Sequence, residues 1–367
     1  MFKGPATAGP FFIWFRKMII RVVYAGSGRG LQKDAEILSE ALTKLGHRCE
    51  LCCVAPTPPW RNKLSRLRNF AFEKYLSKAA TYRYYAFNRW LKVRLSKPAS
   101  DIELVIHIEN IRPSELHPNA THWLIPNQEW FIESRLPYLR FIDQILCKTH
   151  QAVEIFSSKH PNTRYLGFTG SVCPSNPERL DKDYGLALHV AGNSQFKGTN
   201  SLVNCWKDHP EWPRLEVVSQ HLHGASFDPT NIKHHKLLSD EELAVLWQKS
   251  GLAIIPSEVE GYGQVLAEAM AHGCITITTD APPMNEVINR KRGFLIPSRN
   301  SKPFRLGTRY FVSQADIEKT MTEVLNANEH TLKELSTASI AWYRLNHTEF
   351  IQRLQTYLSQ ISRQPLG

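Results

Sequence analysis

The stretch SEVEGYGQVLAEAMAHG, Ser257 to Gly273, sets two carboxylates, Glu260 and Glu268, eight positions apart around a glycine-flanked turn. The run before it, SGLAIIPS, is short, apolar and bounded by Gly251 and Pro256, which reads as a buried strand. Gly261 and Gly263 let the backbone turn sharply, and VLAEAMAHG carries helix formers up to a glycine suited to a helix end. CITITTD then has the β-branched composition of a further strand, so the whole reads as one βαβ unit. In such units ligands lie beyond the carboxyl ends of the strands, where free helix amides favour phosphate. Glu260 falls on that rim. Glu268, inside the helix, sits poorly beside phosphate but well beside hydroxyls, and sugars supply hydroxyls. The plainer alternative is a pair of solvated charges favoured by the helix dipole.

The same alternation extends in both directions. At 367 residues the chain exceeds what one hydrophobic core holds, so two domains are expected. IIRVVYAGSGRG is a strand ending in a glycine-rich turn at Gly28, LQKDAEILSEALTKLGH a helix, and CELCCVAP a strand. ELVIHIENI, HWLIPNQEW, DQILCKTHQAVEIF and TRYLGFTGSV continue the first half. CPSNPERLDKDYG, residues 173–185, is polar, contains two prolines and reads as the linker. Beyond it LALHVAGNSQFKGT, RLEVVSQHL and a capped helix from LSDEEL lead into the opening stretch, and SQADIEKTM onwards reads as helical throughout. Strand and helix alternating twice over predict an α/β protein of two doubly wound parallel sheets facing across a cleft.

Composition narrows the setting. Seven scattered cysteines, without a pair of CxxC units, read as free thiols of a reducing compartment and make a zinc site unexpected. FFIWFRKMII is interrupted by Arg16 and Lys17 and is too short to span a bilayer, and residues 1–18 read as disordered or tag-like. The net charge is +11, and most of it lies in residues 60–97, where eleven Lys or Arg face one acid, Glu73. Trp60, Phe70, Phe72, Tyr75, Tyr82, Tyr84, Tyr85, Phe87 and Trp90 are interleaved, without a glycine or proline. Basic, aromatic and helical together point to a surface that docks on anionic lipid headgroups. The rivals are a nucleic-acid patch and a plain basic face whose aromatics belong to the core. The expectation is a peripheral, cytoplasmic protein at the inner membrane face, without a nucleic-acid partner.

On these residues the second half resembles the donor domain of retaining GT-B glycosyltransferases, the family 4 group. The resemblance rests on Pro256-Ser257, the E-x7-E spacing of Glu260 and Glu268 with Gly261, Gly263, Ala269, Met270, Ala271 and Gly273, on TTDAPPMNEVI, on GNSQFKGT and on LSDEEL. It covers about 186–297. The first half resembles the family in the order of its elements, in GSGRG and in His107 after an apolar strand.

The resemblance implies two Rossmann-like domains, with an acceptor-binding domain at 19–172 and a nucleotide-sugar domain at 186–340. A final helix, 341–367, would return to the first domain. It implies that Glu260 binds donor-sugar hydroxyls, that the amides of Gly261, Tyr262 and Gly263 meet the diphosphate or sugar, and that Glu268 takes both ribose hydroxyls. Lys197 of FKGT would neutralise the leaving diphosphate, and His107 would lie near the reacting sugar or serve as a structural hydrogen-bond partner. Relatives often place an arginine shortly before that lysine. Here GNSQF has none, which leaves Asn193 as a phosphate hydrogen-bonder and Lys236 or Arg29 as the second cation. Asn127 and Glu129 of NQEW, with Arg29, would face the acceptor. The implied reaction is metal-independent transfer from a UDP- or GDP-type sugar to a glycan or lipid-linked acceptor. No covalent nucleophile stands out, which fits attack from the face the diphosphate leaves. A soluble glycan or protein acceptor, another GT-B reaction and a non-catalytic sugar-nucleotide scaffold are the alternatives.

Overall fold

The apolar, β-branched runs form strands where turns bound them, and the amphipathic segments between them form helices. The computed structural model describes residues 17–361 apart from 27, 57, 96–100, 173, 178–179 and 223–230. The first half contains β1 (Ile19–Ala25), α1 (Arg29–Lys44), β2 (Arg48–Val54), α2 (Pro59–Tyr75), α3 (Lys78–Arg94), β3 (Leu104–Glu109), β4 (Thr121–Pro126), β5 (Gln144–Cys147), α4 (His150–Ser157) and β6 (Thr163–Tyr165). Its six strands pair in parallel in the order β2-β1-β3-β4-β5-β6.

The second half runs β7 (Asp183–Gly192), α5 (Thr199–Asp208), β8 (Arg214–Ser219), β9 (Ile232–His235), α6 (Asp240–Lys249), β10 (Ser250–Ile255), α7 (Gln264–Ala271), β11 (Ile275–Asp280), α8 (Met284–Val287) and β12 (Gly293–Pro297). A second parallel six-stranded sheet results, in the order β12-β11-β10-β7-β8-β9. A hairpin, β13 (Asn300–Phe304) and β14 (Gly307–Phe311), precedes α9 (Gln314–Leu325) and α10 (Glu329–Ile361).

Local chemistry sets these boundaries. Ser239 and Glu242 close a reciprocal capping box at the start of α6, as LSDEEL predicts. β10 is buried along its whole length. In α7 every residue from Val265 to Ala271 is buried, because one side packs on the sheet and the other on α10. Burying side chains such as Leu266 and Met270 stabilises the fold by roughly 1.5–3 kcal/mol each.

α10 crosses back to the first half. Asn346 donates to the carbonyl of Phe168 (2.7 Å), Arg353 to that of Leu166 (2.7 Å) and Tyr357 to that of Tyr165 (2.9 Å). This matches the expected return of the C-terminal helix, although the helix is continuous from Glu329.

Three readings change. The C-terminal region is interrupted at 326–328 between α9 and α10, so it is not one helical run. β7 starts at Asp183, inside the stretch read as linker; part of that stretch, with Cys173, lies outside the described residues. Of residues 1–18 only Lys17 and Met18 are described, and Met18 is buried in the core. The basic segment forms two helices, with Ser77 capping the second through a bond from the Ala80 amide (3.2 Å).

Candidate active site

The carboxyl ends of β3, β4, β5, β7 and β10 converge between the two sheets. Glu260 lies in the loop after β10. Its carboxylate accepts from the Ser257 hydroxyl (2.6 Å) and pairs with the Lys197 ammonium. Gly198 brings that lysine there. Its φ is +66°, and a Cβ at this position would lie 2.4 Å from the carbonyl oxygen of Pro256, so only glycine lets the two loops touch. Lys197 and Glu260 are both largely buried.

Glu268 projects from α7 toward α1 and pairs with the Lys33 ammonium. Beside it Gln264, the first residue of α7, donates to Asp34 (2.9 Å) and to the carbonyl of Thr169 (3.2 Å). Asp34 also holds the buried Lys148, whose ammonium sits 4.4 Å over the Phe168 ring. Two neighbouring residues of α1 thus meet residues four apart on α7, a two-rung bridge between the halves.

The first half contributes Asn127, Gln128 and Glu129 after β4. Gln128 donates to the carbonyl of Glu260 (3.0 Å). A Cβ on Gly261 would lie 2.7 Å from Asn127 Oδ1 and 2.8 Å from Glu129 Oε1, so the glycine admits the opposing loop. Asn127 Oδ1 and Glu129 Oε2 are buried and have no protein hydrogen-bond partner among the described residues. Burial, with the negative charges of Glu260 and Glu109 nearby, pushes the Glu129 carboxyl up to about 8. Glu109, at the end of β3 with φ +67°, is also raised by burial.

The hairpin β13–β14 straps the two halves together. Arg305 donates to the carbonyl of Trp130 (2.7 Å) and lies 4.9 Å over that ring, which packs against Phe196 and Phe304. Arg309 pairs with Glu258 and covers Phe196 (4.7 Å). A further link is the Glu286 carboxylate, which accepts the amides of His150 (2.7 Å) and Gln151 (2.9 Å) at the start of α4.

Of the residues singled out by sequence, Glu260, Lys197, Glu268, Gly261, Gly263, Asn127 and Glu129 come together in the cleft. Tyr262 offers only its backbone, since its phenol is buried against Phe168 and accepts from Asn346 (3.2 Å). His107 is corrected from a sugar-facing residue to a structural one. The Arg112 amide donates to its Nδ1 (3.3 Å), its Nε2 donates to His122 Nδ1 (3.4 Å), and His122 Nε2 donates to the carbonyl of His117 (2.7 Å). That chain fixes both neutral tautomers, and burial holds His107 well below the usual histidine range and His122 at about 4.

Asn193 commits its side-chain oxygen to His221 (2.6 Å) rather than to the cleft. Lys236 is exposed beyond β9. Arg29, just after Gly28 at the start of α1, lies 3.8 Å from the exposed Asp240. Sequence reasoning misses Lys33, Asp34, Lys148, Glu109 and the hairpin. Lys33 has a usable signal, one helical turn after Arg29 on the helix that follows the glycine turn.

The comparisons with known proteins bear on the fold and on part of the second half. Residues 213–326 match the profile of the family Glycosyl transferases group 1, a span that holds the two glutamates and ends just past α9 but starts after Lys197. No curated protein sequence matches the chain. Among solved structures, the chain is similar to a glycosyltransferase from Rickettsia africae, at 15% identity and TM-score 0.61, covering 95% of this chain and 100% of that one. It is similar to a sucrose-phosphate synthase from Thermosynechococcus elongatus, at 14% identity and TM-score 0.63, with 95% and 100% covered. The catalytic domain of starch synthase IV from Arabidopsis thaliana, bound to ADP and acarbose, is similar at 9% identity and TM-score 0.57, with 92% and 99% covered. The chain therefore has the GT-B fold.

Proposed function

We propose that this protein is a retaining glycosyltransferase of family 4 that moves a sugar from a UDP- or GDP-type nucleotide diphosphosugar to a glycan or lipid-linked acceptor at an anionic membrane surface. The observation that carries the reading is the pairing of Glu260 with Lys197 at one end of the loop–helix unit and the buried Glu268 at the other. Between them lie the amides of the turn and of the first turn of α7. Glu260 holds donor-sugar hydroxyls, Glu268 accepts the two ribose hydroxyls, and Lys197 with the α7 amides neutralises the diphosphate as it leaves. No metal is invoked, because lysine and helix end supply the charge.

The bond from the anomeric carbon to the phosphate oxygen breaks while the acceptor oxygen bonds the same face. The acceptor's proton passes to the departing diphosphate. The protein contributes orientation and charge. We assign the acceptor to the first half, with the boundary between the halves within 173–185. The similarly folded starch synthase domain is bound to ADP and acarbose, which supports a nucleotide and a glycan as ligands here.

The membrane part rests on α2 and α3. Trp60, Leu64, Leu67 and Tyr75 share one face of α2, each more than half exposed, among Arg61, Lys63 and Lys74. On α3, Phe87 and Trp90 stack in the open (5.7 Å). Tyr85, by contrast, is fully buried, and Phe72 packs on it, so the aromatics divide between core and surface. Among the described residues no helix is long and apolar enough to cross a membrane. A soluble acceptor is the second reading, favoured by the wholly polar wall of Asn127, Gln128 and Glu129. The test is transfer from labelled UDP- and GDP-sugars to glycolipid in anionic vesicles against free oligosaccharide. Sedimentation with the vesicles and preferential glycolipid labelling support the first reading, and oligosaccharide labelling without sedimentation supports the second.

A further inference from the structure

Glu268 reaches its hydroxyl-binding task with one oxygen already engaged. Lys33, on α1 of the first half, pairs with Oε1 of Glu268 on α7 of the second. The Glu268 side chain is nearly buried, whereas that of Lys33 is 39% exposed and free to swing into solvent. The neighbouring rung does not share that freedom, since Asp34 is buried between Lys148 and Gln264. A rigid rung and a releasable one therefore lie side by side. Meanwhile Lys197 brings one positive charge to the diphosphate end, already shared with Glu260, while a nucleoside diphosphosugar carries two negative charges.

We infer that Lys33 is a specificity-determining residue that makes the site select a nucleoside diphosphate over its nucleoside. This rests on the donor reading above. At rest Lys33 occupies the carboxylate oxygen that a ribose hydroxyl must take. A nucleoside displaces it and offers no anion in return, so the ion pair is lost. A nucleoside diphosphate displaces it and gives it a new partner, because the α7 amides, which favour phosphate, lie one helical turn from Glu268. Lys33 thus becomes the second cation beside Lys197, whereas Arg29 lies against the exposed Asp240 and Lys236 is exposed beyond β9.

The test compares binding of UDP, GDP and ADP with that of uridine, guanosine and adenosine, by titration calorimetry of wild type, Lys33→Met and Lys33→Arg at two salt concentrations. The expected result in Lys33→Met is that the preference for diphosphate over nucleoside shrinks by about tenfold, a typical size for one charge-assisted contact. The diphosphate binds more weakly and the nucleoside at least as tightly. Lys33→Arg keeps the preference, and salt weakens diphosphate binding less in Lys33→Met than in wild type. A preference unchanged in Lys33→Met overturns the inference. So does an equal loss for both ligands, which is what a merely structural role predicts. Wild type binding none of the six overturns the donor reading itself, and the inference with it.

Discussion

Both sheets are parallel and six-stranded, though their strand orders differ, and their carboxyl edges carry opposite chemistry. The edge of the second sheet presents ionised pairs, Lys197 with Glu260 and Glu268 with a lysine from across the cleft, around the turn that opens α7. The edge of the first presents the amides Asn127 and Gln128 with two carboxyls raised by burial, Glu109 and, up to about 8, Glu129, while the buried Lys148 is committed to Asp34. The difference teaches a division of labour. A fixed array of charge suits an anionic leaving group, and neutral hydrogen-bonding groups suit a hydroxyl acceptor, whose binding would suffer from a carboxylate that had to be desolvated.

Breaking the charged edge has the largest expected effect. Lys197→Ala lowers kcat by roughly a hundredfold to a thousandfold, the range for removing a group that meets developing charge, with the acceptor KM little changed. Steady-state kinetics at saturating donor check this. The same kind of substitution on the neutral edge behaves differently: Asn127→Ala raises the acceptor KM about tenfold and changes donor affinity little.

The pH response sharpens the contrast further. Glu129, raised to about 8, is protonated at neutral pH and ionises as pH climbs through that value. Acceptor affinity therefore declines above about pH 8, and Glu129→Gln, which mimics the neutral form, removes that decline while leaving donor affinity unchanged. A pH profile of the acceptor KM for both forms decides it.

Stability to acid involves both halves alike. His122, His189 and His272 are each held at about 4 by burial, and His107 is also lowered. The unfolded chain takes up these protons near pH 6.5 while the folded one refuses them. Stability is therefore fully present above that value and falls as pH drops toward 4. The slope is about 1.4 kcal/mol per pH unit for each fully buried ring. Urea unfolding midpoints at pH 7, 5.5 and 4.5 follow it, and His122→Asn flattens the curve.

The smallest effect concerns the link between the halves. Glu286→Gln removes the charge that meets two amides at the start of α4, and lowers stability by about 1 kcal/mol. Thermal unfolding measures it.

Legibility follows the same divide. The loop–helix unit can be read because backbone demands and side-chain chemistry coincide in a few adjacent residues: Gly261 and Gly263 at the turn, Glu260 before them, Glu268 one turn into the helix, and a buried strand on each side. Gly198 beside Lys197 is equally local. The first-half residues of the site come from separate strand ends and from α1, and only the tertiary fold brings Asp34, Glu109 and Lys148 together. His107 misleads because an apolar strand ending in histidine looks the same whether the ring faces a cleft or His122. The basic helices are legible as helices, but their division at Ser77 and the burial of Tyr85 depend on packing. The hairpin β13–β14 gives no warning, since NSKPFRLGTRYF lacks the clean alternation of a half-buried strand.

If the two glutamates hold one nucleotide sugar by its two hydroxyl-bearing ends, titration of UDP, GDP and ADP into wild type and Glu268→Ala shows it most directly. We predict that one of the three binds the wild type and that the substitution weakens it by about tenfold to a hundredfold, through the loss of two charge-assisted hydrogen bonds. Binding of equal strength in both proteins would contradict this central claim.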